Sequence, residues 1–170
     1  MSEYVTYSLG SALIELMKNR PIEKITVDEL TAKANVGRVT YFRNFRSKDD
    51  ILTQYIVGKW RSYEQDNHLK EYRINDMTRV LKYFEFCYSM REINDIIFKQ
   101  ERQAVLMQAY EAVFQGDSTG VEEDVYERAY MAHGLYGVLL KWAKDGYQET
   151  PHKMAELVVN RIFAEHRVVH

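Results

Sequence analysis

Apolar residues recur along this chain at intervals of three and four, the spacing of helices with one buried stripe. Val5, Leu9, Ala12, Leu13, Leu16 and Met17 give a first helix, which Asn19, Arg20 and Pro21 end. Thr26 followed by Glu29 is a capping box that opens a second, short helix over Val27, Leu30 and Ala34. Ile25 and Leu30 take the staple positions on either side of that cap. The helix stops at Asn35, a residue that tolerates the left-handed backbone of a tight turn. After Val36 and Gly37 a third short helix is expected from Arg38 to about Asn44.

Ser47 is placed to cap a long fourth helix, with Asp49 and Asp50 in the first turn, where the helix dipole favours anions. It runs through Leu52, Tyr55, Ile56, Trp60 and Tyr63. Further helices are expected at about 74–90 and about 92–115, the latter with a break near Lys99. QGDSTG (115–120) is the clearest loop. Helices at 122–145 and 151–166 follow, the last capped by Thr150 with Pro151 at its first position. Two prolines and eight glycines in 170 residues are few for a chain of many turns, and hydrophobic residues at 46% suffice for a core. The expected fold class is therefore all-α.

Charge changes the picture. The chain carries a formal net charge of -2, yet residues 1–52 are net positive and the remainder net negative. Asn35 to Lys48, NVGRVTYFRNFRSK, holds Arg38, Arg43, Arg46 and Lys48 and no acid. Two short helices joined by a tight turn, the second basic, form a helix-turn-helix, whose second helix enters the DNA major groove. Acids there would be repelled by phosphate. Leu30, Ala34, Val36, Tyr41 and Phe45 can pack its back, while Arg38, Val39, Phe42, Arg43 and Asn44 can face outward. Arginine offers paired hydrogen bonds to guanine and asparagine the same to adenine. Thr26, Gly37, Thr40 and Lys48 stand at helix starts or flanks, suited to positioning contacts with phosphate.

The run from Thr26 to Leu52, TVDELTAKANVGRVTYFRNFRSKDDIL, resembles the DNA-binding domain of TetR-type transcriptional regulators. The resemblance covers roughly residues 5–55. HGLYGVLLKWAKDGYQETPHKMAELV (133–158) resembles the last two helices of a subgroup with short C-terminal domains. It implies a three-helix helix-turn-helix domain over 1–47 and a helical regulatory and dimerisation domain over 48–170. The family commonly has Gly where this chain has Asn35, Ser or Thr where it has Gly37, and a phosphate-binding Tyr where it has Phe42. Here the hydroxyl belongs to Tyr41, at a position expected to face inward.

By the same resemblance the middle helices bind a small-molecule effector. Tyr55, Trp60, Tyr83, Phe84, Tyr88, Phe98, Met107 and Tyr110 are the candidate pocket residues, with Glu85, Asn94 and Glu101 as polar contacts. The plainer reading of any one of these aromatics is core or interface. In the helix over 122–145, Gly134 and Gly137 lie near Ala129 and Ala132. Each interior glycine costs about 1 kcal/mol against alanine, so a compensating close approach is expected. Either a second chain or an internal neighbour could supply it. A homodimer packed through these residues and Met154, Leu157, Val158 and Ile162 would form a four-helix interface.

The remaining classes find little support. No apolar run of 18 residues occurs, so no membrane span or membrane partner is expected. The first residues lack the basic-then-apolar pattern of a signal peptide, and the lone Cys87 fits a reducing cytoplasm. Cys87, His133, His166 and His170 have no zinc-site spacing, so neither metal nor cofactor is expected. Neither GxSxG nor GxGxxG nor a P-loop occurs, so the chain is not expected to be an enzyme. The expectation is a dimeric DNA-binding regulator, a repressor of a palindromic operator released by a small molecule. The alternative is a co-regulator of the same fold that has lost DNA binding and acts through a partner protein.

Overall fold

The computed structural model describes residues 3–116 and 125–163. All regular structure among the described residues is helical. The elements are α1 (Glu3–Met17), a 3-10 turn (Ile22–Lys24), α2 (Val27–Ala34), α3 (Arg38–Asn44), α4 (Lys48–Asp66), a second 3-10 turn (Leu69–Glu71), α5 (Met77–Ser89), α6 (Arg91–Lys99), α7 (Gln103–Gly116), α8 (Val125–Lys144) and α9 (Pro151–Leu157). A wider π-helical segment, Val158–Phe163, continues α9.

Two compact units divide these elements: Met1–Lys59 with Ile93–Gly137, and Trp60–Glu92 with Val138–His170. In the first, α1 buries Leu9, Leu13, Ile14 and Met17, and α2 packs on it. Ile25, Leu30, Ile51 and Leu52 are fully enclosed in the same unit. Gly10 is required there, because a Cβ at that position would lie 2.4 Å from the Tyr55 ring. The turn between α6 and α7 is anchored to the end of α1. Gln100 accepts from the Ile22 N–H at 2.7 Å and donates to the carbonyls of Met17 (2.7 Å) and Arg20 (2.9 Å). Arg102 pairs with Glu23 and, at 3.5 Å, with Asp49. The break near Lys99 is thus real, and its backbone reverses at Glu101, which is left-handed (φ 56°).

In the second unit α5 packs on α9 and on the π-helical segment. Its core is aromatic. Trp60 meets Phe86 edge-on at 5.2 Å and Tyr83 at 6.1 Å, and Phe84 meets Trp142 at 5.6 Å. The Trp142 indole donates to the Glu149 carbonyl (3.1 Å). Glu64 is buried and held by Arg79 at 3.1 Å. Thr150 caps α9 by accepting from the Lys153 N–H, with Pro151 in the first turn.

The last helix differs from its expected form. It is α-helical only to Leu157 and then widens, while Val158 stays buried. Most of the expected loop at 115–120, the start of the 122–145 helix and residues 164–166 lie outside the described residues.

Candidate nucleic-acid interface

The helix-turn-helix is built by local bonds that the sequence specifies. The Thr26 hydroxyl accepts from the Glu29 N–H (3.2 Å), and Glu29 accepts from the Thr26 N–H (3.3 Å). Arg20 clamps the same carboxylate at 2.7 Å. Asn35 ends α2 in the left-handed region (φ 52°) and its N–H reaches back to the Thr31 and Ala32 carbonyls. Gly37 caps α3 with extended backbone and no side-chain bond. A Cβ there would meet the Thr40 hydroxyl only at an ordinary 3.9 Å, so packing does not demand glycine.

On α3, Tyr41 is buried at 5% exposure, and Phe45 just beyond it is also buried. Burial, and then the nearby Asp50 charge, push the Tyr41 phenol above its ordinary value. The opposite face presents Arg38, Val39, Phe42 and Arg43 to solvent. Val39 is 78% and Phe42 61% exposed, far from what a core would leave out. Exposed apolar groups beside arginines suit a surface that meets thymine methyls as well as guanine.

Two expected contacts are placed differently. Asn44 is half-buried, and its amide donates to the Thr40 carbonyl (2.7 Å) rather than standing free. Lys48 donates to the carbonyls of Ile22 and, at 2.8 Å, Ile25. Two of the three donors of its ammonium thus secure the loop before α2. Sequence reasoning also missed Asp28, whose Oδ1 lies 2.7 Å from Arg38 Nη1. Its position in the first turn of α2 had an ordinary explanation in the helix dipole. An open concavity along the turn is lined by Asp28, Thr31, Asn35, Gly37 and Arg38.

The candidate pocket residues fall into two groups. Tyr55, Phe98, Met107 and Tyr110 belong to the first unit, and Trp60, Tyr83, Phe84 and Tyr88 to the second. Tyr55 is buried against Tyr7 and Gly10, and Tyr110 meets the Tyr136 ring at 5.8 Å. Phe98 and Met107 are half-buried. The Trp60 indole N–H is buried with no acceptor among the described residues. Tyr88 is 38% exposed beneath the Arg91 guanidinium. Glu85 accepts from Lys82 (2.8 Å), Asn94 is buried and Glu101 is exposed.

The candidate interface residues also divide. Ala132, Met154 and Val158 are buried, and Leu157 is half-buried. Ala129, Gly134, Gly137 and Ile162 are exposed. Among the described residues a Cβ on Gly134 or Gly137 would meet nothing within 4 Å, so no close neighbour there explains these glycines. Among the described residues no helix is long and apolar enough to cross a membrane, and no group of three or more His, Cys, Asp or Glu could hold a metal.

Residues 11–55 match the tetR family of bacterial regulatory proteins, and residues 67–163 match a transcriptional regulator C-terminal region of the same kind. An HTH-type transcriptional regulator of Bacillus subtilis, YxbF, is 22% identical over 174 residues. The match takes in 93% of this chain but 44% of that relative, so the chain spans less than half of its length. A solved structure of a Clostridium perfringens protein assigned to the regulation of fatty acid metabolism superposes with a TM-score of 0.51. It covers 96% of this chain and all of that one, at 17% identity, which speaks to the fold alone. A capped α2, a left-handed turn, an arginine-bearing α3 and matches over both parts of the sequence lead to one conclusion: the chain belongs to the TetR family of transcriptional regulators.

Proposed function

We propose that this chain is a repressor that binds a palindromic operator as a homodimer and is released by a small-molecule effector. Residues 1–47 would read DNA, and residues 48–170 would hold the effector and the dimer contacts. The observation that carries the reading is the outer face of α3, where Arg38, Val39, Phe42 and Arg43 stand exposed together on a helix whose back is buried. Dimerisation is supported by the bare backbone at Gly134 and Gly137, which a second helix could approach closely. Two recognition helices about 34–36 Å apart would then meet successive major grooves on one side of the duplex. An effector is supported by the unsatisfied Trp60 indole within an aromatic cluster, since a buried donor without an acceptor costs about 1–3 kcal/mol. The effector can act only through a difference in its affinity for two conformations of the protein.

The test is capture of sheared genomic DNA on the purified protein at physiological salt, with Arg38→Ala as the control. The reading expects a few enriched fragments that share an inverted repeat and vanish with the variant. Equal recovery by both proteins would remove the DNA-reading function and favour action through a partner protein.

A further inference from the structure

We propose that Asp28 determines specificity in the DNA-reading surface by fixing the Arg38 guanidinium for a guanine and by penalising contact with DNA that lacks it. The proposal rests on the DNA-binding reading above. Arg38 opens α3, and its long side chain would otherwise sample many rotamers that base recognition must freeze out. Two neighbours hold it. Asp28, from α2, forms an ion pair with it, Oδ1 lying 2.7 Å from Nη1. Phe42, one turn further along α3, lies with its ring centroid 5.9 Å from the guanidinium carbon. The guanidinium is thus tethered from the preceding helix and backed by its own.

The ion pair is not there for stability. Arg38 and Asp28 are 61% and 66% exposed, and such pairs contribute little to folding. Nor does Asp28 complete the cap of α2, since Glu29 does that and is itself paired with Arg20. An arginine carries five N–H donors, and Asp28 engages it through Nη1. The donors left can pair with O6 and N7 of a guanine, in an orientation set before DNA arrives. Where no guanine lies opposite, the carboxylate is a negative charge facing a polyanion, and binding weakens. Asp28 therefore raises the ratio of specific to random binding more than it raises affinity.

The experiment uses the full chain with Asp28→Asn, Arg38→Ala and both together. The probe is the 30-base-pair duplex that the wild-type protein selects from a randomised pool, beside the same duplex with single G·C pairs replaced and a scrambled one. Asp28→Asn should bind the scrambled duplex several-fold more tightly. It should also lose about tenfold in discrimination at the one base pair whose readout Arg38→Ala abolishes. In the Arg38→Ala background it should change that discrimination no further. A thermal melt of each variant confirms folding. If Asp28→Asn alters melting but leaves the ratio of selected to scrambled binding unchanged, Asp28 is a helix-dipole residue and the proposal falls alone. If the wild type itself prefers no duplex, the DNA-reading function falls, and this inference with it.

Discussion

The side-chain oxygen of Gln100 accepts a 2.7 Å hydrogen bond from the backbone N–H of Ile22, 78 residues away in the chain. The amide nitrogen of the same residue donates to Met17 and Arg20, so one glutamine closes the end of α1 and the start of the 3-10 turn that leads to α2. Gln100→Ala would leave one backbone donor and two acceptors without these partners. The expected loss is about 2 kcal/mol, read as a lower urea midpoint with an unchanged slope. An unaltered midpoint would mean that water replaces the amide freely.

Glycines in α1 and α8 should respond in opposite ways. Gly10→Ala drives a methyl into the Tyr55 ring and should destabilise the fold by about 1–3 kcal/mol. Gly137→Leu places its Cβ more than 4 Å from any described neighbour and gains up to about 1 kcal/mol of helix propensity, so the single chain is expected to keep its fold. The dimer reading requires the same change to shift sedimentation from dimer to monomer. A dimer that survives Gly137→Leu would place the interface elsewhere.

The α2 cap carries a pH signature. The Arg20 hydrogen bond, followed by that of the Thr26 N–H, holds the Glu29 carboxyl below its ordinary value of 4.5. A depressed carboxyl contributes stability that is complete above its unfolded value and is lost as pH falls through the folded one. Wild type should therefore melt above Glu29→Gln at pH 6, and the gap should close below about pH 4.5. A gap that is constant with pH would assign the difference to shape rather than charge.

The helix-turn-helix was legible because its determinants are local. Thr26 and Glu29 are three residues apart, Asn35 carries its own backbone tolerance, and α3 runs from Arg38 to Asn44 as the pattern indicates. The break near Lys99 was expected too, though what anchors it was not visible in the sequence. Contacts between distant segments were not legible. Nothing near Gln100 in sequence announces Met17, Arg20 or Ile22, and nothing near Lys48 announces the Ile25 carbonyl. Asp28 was hidden because a first-turn acid already had a sufficient local explanation. The aromatics after residue 52 read as one pocket list, but periodicity cannot say which cluster a ring joins, and they fall into two units. The widened turn at Val158–Phe163 leaves no mark in an apolar period that α and π coils share over so few residues.

The most direct test of the central claim is a titration of the purified chain against its selected duplex and a scrambled one, repeated from low to physiological salt. The account predicts that the selected duplex binds at least about a thousandfold more tightly at physiological salt. It also predicts that both affinities fall linearly with salt on logarithmic axes, as charged contacts to phosphate require. Equal affinities for the two duplexes, or binding that ignores salt, would contradict a role for the α3 face in reading DNA.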